Sequence, residues 1–490
     1  MCINTIAMKK ILSVCFTLML MFAGLTSCEN DDFSSSPSDR LAFSKDTVSF
    51  DTVFTGQASA DQRFMIYNPN KKALRIQTLY LADPDHSGFI INVDGQSSNR
   101  INDLEIDAKD SLFVFVRINP SPSGQNSPQL IKDSIVFVTN GVMQHVKLRA
   151  VGQDATKWSG KRITADTTLS ATRPFLIYDS LYVAPGITLT LAAGTTLHFH
   201  SGASLKVEGT LVSNGTAAAP IIMRGDRIDN LFDDLPYDLL AGQWEGVRLA
   251  AGSIGNSLTH TIIRGGNYGI LADSSDVSAL KLEMHHSTIH NVRGHGLQAT
   301  NCRIEADNSL FTNARYACLS LLGGSYRFLH CTIANYYVWD LREGTSVTIS
   351  NFTGSSKEKL VFYPVTNTTF TNCIIYGSRY PELQLNHTLN KEEVATSFEC
   401  SFHASLIRSK EQTDPRFSDI LWSEDPAFHA TGKEDYKYDF HLDSLSAAIG
   451  KADPNFSSLL PQDADGVNRM TDGTPDMGAY EFVPALNDQH

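Results

Sequence analysis

Arginine and aromatic side chains recur along one stretch of this chain at a spacing suited to reading a long ligand. Arg293, Arg315, Tyr337 and Arg379 stand 22, 22 and 42 residues apart. Tyr316 and Tyr380 follow two of them by one position, and Trp339 follows Tyr337 by two. Guanidinium groups fork onto carboxylates, and aromatic faces stack on sugar rings. If one turn of a repeating structure separates successive members, they stand about 4.8 Å apart, close to the rise of a sugar unit in an extended chain. The stripe therefore predicts a linear groove for an acidic or neutral glycan. The plainer alternative is an ordinary surface on which Asp340, Glu382 and other acids pair the arginines.

Other candidates carry less chemistry. His285, His286 and His290 are close in sequence, but adjacent strand residues point to opposite faces, so one shared metal site is not expected. Asp463-Ala464-Asp465-Gly466 has the oxygens to begin a calcium loop but lacks a third ligand at the spacing such loops use, and a turn is expected instead. No cofactor is predicted. The insertion from Asp226 to Tyr237 mixes five charged side chains with two aromatics, a composition that suits either a binding loop or a solvated excursion.

The elements that must position these residues are strands. From residue 160 onward short apolar runs are separated by glycine turns, as in Gly202-Ala203-Ser204-Leu205-Lys206-Val207 and Gly209-Thr210-Leu211-Val212, with no helical period. An internal repeat starts at Ser287, Ser309, Cys331 and Cys373; the last interval of 42 reads as two turns of 21. It places Ile289, Phe311, Ile333 and Ile375 in one column and Leu297, Leu319, Leu341 and Leu383 in another. Asn291, Asn313 and Asn335, closed by Gly377, form a third column, expected to be an amide ladder at a turn. The coil near Thr353 breaks the pattern and suggests an inserted loop. Repeats of this length match stacked turns in which each strand pairs with its counterpart one turn above.

This texture resembles the right-handed parallel β-helix proteins, the pectate-lyase-like fold, over about residues 160–410. Residues 40–155 hold about seven strands bounded by turns such as Asn68-Pro69-Asn70 and Thr139-Asn140-Gly141, the pattern of an antiparallel β-sandwich, and resemble immunoglobulin-like modules. Residues 411–485 contain Asp439-Phe440-His441-Leu442, Asp463-Ala464-Asp465-Gly466 with Arg469, and Asp476-Met477-Gly478-Ala479-Tyr480-Glu481. They resemble the choice-of-anchor Q segment that follows β-helices in bacterial surface proteins, and a role in capping the open end of the stack is expected. The expected fold class is thus all-β: a sandwich, a β-helix and a cap.

The resemblance raises the question of catalysis. Gly294-His295-Gly296 is similar to the Gly-His-Gly of polygalacturonase-like hydrolases, and Asp273 and Asp276 lie about one coil upstream. The Asn-Thr-Asp of those enzymes is absent, and Arg303-Ile304-Glu305 comes too soon and ends in the wrong charge. Gly294-His295-Gly296-Leu297 also parallels Asn267-Tyr268-Gly269-Ile270, so turn geometry accounts for it, and no catalytic residue is assigned.

The N-terminus gives an address. Lys9 and Lys10 precede an apolar run from Ile11 to Gly24, too short to span a bilayer, and then Leu25-Thr26-Ser27-Cys28. This resembles a bacterial lipobox, which implies that residues 1–27 are removed and that Cys28 is lipidated, anchoring the chain to a membrane. Residues 28–39 form an acidic, serine-rich tether similar to the export signal of Bacteroidota-type surface lipoproteins, which implies an outer-membrane, surface-exposed location. Of the remaining cysteines, Cys302, Cys318, Cys331, Cys373 and Cys400 are odd in number and lack CxxC spacing, so neither a zinc site nor a full disulfide framework is indicated. With 40 Lys and Arg against 53 Asp and Glu, the net charge of −13 excludes the usual electrostatics of nucleic-acid binding. The expected function is non-catalytic polysaccharide binding or adhesion. A polysaccharide lyase or glycoside hydrolase acting on an acidic glycan, and a ligand-free spacer, are the alternatives.

Overall fold

A computed structural model describes residues 33–232, 235–354, 359–388, 397–432 and 435–484. Residues 1–32, Cys28 among them, lie outside the described residues. The chain is all-β and divides into two compact units, one built from Gly56–Ser121, Leu130–Val151 and residues up to Phe50, the other from Asp51–Thr55, Pro122–Gln129 and everything from Gly152 onward.

The first unit holds two five-stranded sheets. Period-two alternation decides which face each strand buries: in Ser111–Ile118, Val114, Val116 and Ile118 are buried while Phe113, Phe115 and Arg117 face out. Ring contacts between Phe43 and Phe137 (4.9 Å) and between Phe50 and Phe89 (5.9 Å) join the two sheets. The turn at Asn68 is fixed by its buried amide, whose Nδ2 donates to the carbonyls of Lys72, Ile106 and Asp107.

The second unit is a stack of coils with three parallel strands per turn, an arrangement compatible with a β-helix. The inner column of the first ladder runs Phe175, Leu197, Met223, Ile263, Ile289, Phe311, Ile333, Ile375, Ile407 and Trp422, each the register partner of the next. The four-residue column predicted from the repeat thus lies in register within a longer one. Ile333 pairs directly with Ile375, so the interval of 42 residues is one long coil and not two short ones. A loop over 336–346 and a hairpin of Phe352–Thr353 with Val361–Phe362 take up the extra length. This also corrects the second column, which runs Leu297, Leu319, Val347, Leu383. Leu341 is 76% exposed on the loop, because the insertion shifts the strand by six residues. On the third ladder Phe328, Phe370, Phe402 and Phe417 stack with ring centroids 4.7–5.0 Å apart, the spacing between paired strands. The five cysteines from Cys302 onward are free and buried.

Polar columns turn the corners. Asn291 and Asn313 are buried with φ of 58° and 54°, left-handed values that asparagine tolerates better than most residues. Their amides, with that of Asn335, bond backbone and loop groups and not one another: Asn335 Nδ2 donates to Ala314 O (2.8 Å), and Asn313 Oδ1 accepts from the Tyr336 N–H (2.9 Å). A second left-handed column at another corner comprises His260, His286, Asn308, His330 and Asn372, with φ between 42° and 54°.

That second column receives the C-terminal segment along the side of the stack. Asn308 Nδ2 donates to Gln462 O (2.8 Å), His330 Nε2 meets Ser457 Oγ (2.8 Å), and Asn372 Oδ1 accepts from the Asp453 N–H (2.8 Å). Leu310 and Ala334, on the outward side of the first ladder, pack with Phe440 and Ala479. At the centre Arg469 is fully buried and donates to Asn308 Oδ1, Ala479 O and Glu481 Oε2. Asp476 accepts from the Gly450 and Phe482 N–H groups, and Asp463 from those of Val467 and Glu481. Asp463-Ala464-Asp465-Gly466 is therefore a turn whose first carboxylate is spent on backbone N–H groups.

Candidate functional site

The arginine and aromatic stripe lies where the chain passes from the first ladder to the second, and the structure divides it in two. Arg293 follows the strand Thr288–Val292, and its N–H donates to Gly266 O (3.0 Å) on the preceding turn. It is exposed and makes no ion pair among the described residues. One turn on, the Arg315 and Tyr316 N–H groups donate to Val292 O and Gly294 O, both at 3.2 Å, so these residues sit directly above Arg293 and Gly294. The Arg315 guanidinium pairs with Glu343 (2.6 Å) and Asp340 (3.3 Å) and lies 5.4 Å from the Tyr316 ring centroid. The hydrogen bond to Glu343 is foremost in raising the pKa of Arg315 above its usual value.

The loop over 336–346 covers the next position. Tyr337 is buried, and its N–H donates to Asn335 Oδ1 (3.3 Å). Trp339 Nε1 donates to Asn291 Oδ1 (2.9 Å), and its ring stacks on Tyr436 at 4.8 Å and 16°. These two aromatics are committed to holding the loop. Arg379 and Tyr380 lie beyond it, exposed, with Arg379 Nη1 donating to Arg342 O (2.5 Å). Between the two halves, Arg342 and Glu382 form a buried fork, and Glu382 also accepts from the Ser346 N–H (2.9 Å) and the Arg379 N–H (2.8 Å). Leu341, Arg342, Glu343 and Arg379 line an open cleft of about 610 Å³.

Arg315 and Asp340 pair as one alternative predicted, but Glu382 takes Arg342, which the stripe did not include. Arg342 and Glu343 were beyond sequence reasoning because the loop that carries them has no counterpart in the other coils. Four arginines (Arg293, Arg315, Arg342, Arg379) meet three carboxylates (Asp340, Glu343, Glu382), which leaves one positive charge in excess on an acidic protein.

The histidines are placed individually. His295 Nδ1 accepts from the Ala317 N–H (3.2 Å), and burial lowers its pKa. A Cβ at Gly296 would lie 2.5 Å from Cys318 O and one at Gly294 2.6 Å from Asn267 O, so close approach of neighbouring turns explains both glycines. Asp273 pairs with Arg248 (3.0 Å), and Asp276 accepts from the Ser278 N–H (2.9 Å). His285 pairs with Asp307 (2.8 Å), His286 stacks on His260 at 4.7 Å, and His290 is half-buried against Thr312 and Tyr438. The insertion after Asp226 forms a short hairpin and a helical turn, Tyr237–Leu239. Its Asp238 bridges Arg224 (3.0 Å) and Arg264 (2.6 Å).

No family model matches the chain. Protein bark beetle of Drosophila melanogaster is 32% identical over 120 residues, which is 24% of this chain, and the chain spans 4% of that protein's length. Among solved structures, a protein of unknown function from Porphyromonas gingivalis aligns over 23% of this chain and 46% of its own, at 15% identity and a TM-score of 0.18. The VesB protease of Vibrio cholerae aligns over 24% and 32% (12% identity, TM-score 0.17), and the E. coli chaperone DraB over 24% and 55% (9%, 0.17). Scores of this size do not establish a shared fold.

Proposed function

We propose that this chain is an exported bacterial lipoprotein, anchored at the outer membrane through Cys28, whose right-handed parallel β-helix binds polysaccharide at the cell surface without catalysis. The immunoglobulin-like sandwich serves as a spacer between anchor and stack. The observation that carries the reading is the cleft at Leu341, Arg342, Glu343 and Arg379 with its flanking Arg293, Arg315 and Tyr380, an open surface with a residual positive charge on a chain of net charge −13. Arg293, Arg379 and Tyr380 present cationic and aromatic groups to solvent, the groups that hold the oxyanions and ring faces of sugars. The lipobox Leu25-Thr26-Ser27-Cys28 supports the anchor.

Retention of the chain from residue 28 on a panel of neutral and acidic polysaccharides tests this function. R293Q/R379Q/Y380A is expected to weaken retention about tenfold while leaving the melting temperature unchanged. Equal retention of wild type and variant would remove the cleft from the proposal. Failure of wild type to bind any glycan would favour the spacer. Metabolic labelling with a fatty acid is expected to mark the wild type and not C28A.

A further inference from the structure

A second basic groove lies on the outward face of the third ladder. Arg303–Asp307 pairs in parallel with Ser325–Leu329, which pairs in turn with Val365–Thr371. Alternation sends Ile304, Ala306 and Phe328 into the core and leaves Arg303, Glu305, Arg327 and Thr369 outside. The register sets Glu305 against Arg327 and Arg327 against Thr369 on successive turns, with Arg303 against Ser325 beside them. Arg303, Glu305, Ser325, Arg327, Thr366 and Thr369 line a cavity of about 600 Å³.

Each guanidinium spends the same edge on the shared carboxylate. Arg303 donates through Nε (3.1 Å) and Nη2 (2.6 Å) to Glu305 Oε1, and Arg327 through Nε (3.0 Å) and Nη2 (2.5 Å) to Oε2. Among the described residues neither Nη1 has a hydrogen-bond partner, and the two side chains are 42% and 47% exposed against 19% for Glu305. Burial works against ionisation of Glu305, but the two arginines hold its pKa below the usual range, so it stays charged. The trio then carries one net positive charge. Both guanidiniums are fixed before a ligand arrives, which lowers the entropy lost on binding. The free Nη1 groups are left to donate to an oxyanion, and the hydroxyls of Ser325, Thr366 and Thr369 suit the hydroxyls of a sugar.

We infer that Arg303 and Arg327 form a second ligand subsite, selective for an oxyanion borne on a glycan, either a uronate carboxylate or a sulfate ester. This rests on the glycan-binding reading and adds the charge class of the ligand and a separate face of the stack. The probes are polygalacturonate, dextran sulfate and neutral dextran, titrated into the chain from residue 28. At least one acidic polymer is expected to bind ten times more tightly than dextran, and the arm that binds names the oxyanion. R303Q/R327Q should lose that preference by tenfold or more. R327K, which keeps the charge without the fork, should lose less. R75Q/R117Q removes two ion-paired surface arginines of the first unit and matches the charge change; it should bind as wild type does. An R303Q/R327Q variant that keeps the full acidic preference would overturn the subsite while leaving glycan binding intact. Wild type that binds acidic and neutral polymers equally would also overturn it. Absence of all glycan binding would overturn the broader reading as well.

Discussion

The coil stack and the C-terminal segment along its side are held by different physics. The stack repeats one solution: apolar columns in parallel register, with each strand paired to its counterparts on the adjacent turns. The segment has little regular structure and closes around a polar cluster of buried Arg469, Asp463 and Asp476 with half-buried Glu481; Arg469 bonds Asn308 of the stack, while Ser457 and Asp453 bond His330 and Asn372. Damage to the stack should therefore be local and graded by volume. Damage to the segment should be all or none, because a half-satisfied buried network is worse than none. Their responses to pH should also oppose one another.

The largest effect is expected where a buried charge loses its partner. Arg469→Met leaves Glu481 and the Asn308, Gly478 and Ala479 acceptors without their buried donor and should cost about 3–5 kcal/mol. Limited proteolysis is expected to clip the chain within residues 425–484 of the variant while the coils up to residue 407 resist; uniform cleavage of both would erase the distinction between the regions. Phe370→Ala opens a hole between Phe328 and Phe402 and should cost about 3–5 kcal/mol, read as a lowered melting temperature with increased hydrogen exchange confined to the neighbouring turns.

Acidity separates the regions next. Burial and then Asp476 push the Glu481 carboxyl up to about 8, while Asp465, followed by Asp439, raises His441 to about 9. Both groups hold a proton more tightly in the folded state. Their contribution is therefore complete below their unfolded values, near 4.5 and 6.5, and drains as pH rises through 8 and 9. Burial drives His198 and His290 of the stack down to about 3. These imidazoles are kept neutral, so their contribution is complete above 6.5 and is lost as pH falls toward 3. Proteolysis at pH 9 should release the segment first, and melting at pH 4 should weaken the stack first. Glu481→Gln should flatten the alkaline limb. The smallest contrast tests the register: Val347→Ala should cost about 1–2 kcal/mol, and Leu341→Ala within about 0.5 kcal/mol, although the repeat spacing would put Leu341 in the column that Val347 fills.

How much of this was legible follows from the same contrast. Strictly spaced turns made the Ile289, Phe311, Ile333 column visible, because identical coil lengths bring like residues into register, and Ile375 joined it because its long coil is close in length to two short ones. The phenylalanine column escaped notice because loops of different length separate its members by 42, 32 and 15 residues. The same variation turned one long coil into two apparent short ones and put Leu341 where Val347 belongs. The corner column of His260, His286, Asn308, His330 and Asn372 was hidden because its requirement is a backbone conformation that two residue types meet. At the candidate site the arginines were legible and their partners only partly so: Asp340 lies near Arg315 in sequence, whereas the pairing of Arg342 with Glu382 depends on how the loop over 336–346 closes. The lateral position of the C-terminal segment was not legible, since its anchoring groups are single polar residues spread from Asn308 to Asn372.

We propose glycan binding without catalysis on the outer faces of the stack. Its most direct test is prolonged incubation of the chain with polygalacturonate and dextran sulfate, with bound polymer and newly formed chain ends followed in the same samples. The account predicts saturable retention, lost stepwise in R303Q/R327Q and R293Q/R379Q/Y380A, with no rise in reducing or unsaturated ends. A time-dependent rise in either kind of end, abolished by one of these variants, would contradict it and make the protein a lyase or hydrolase.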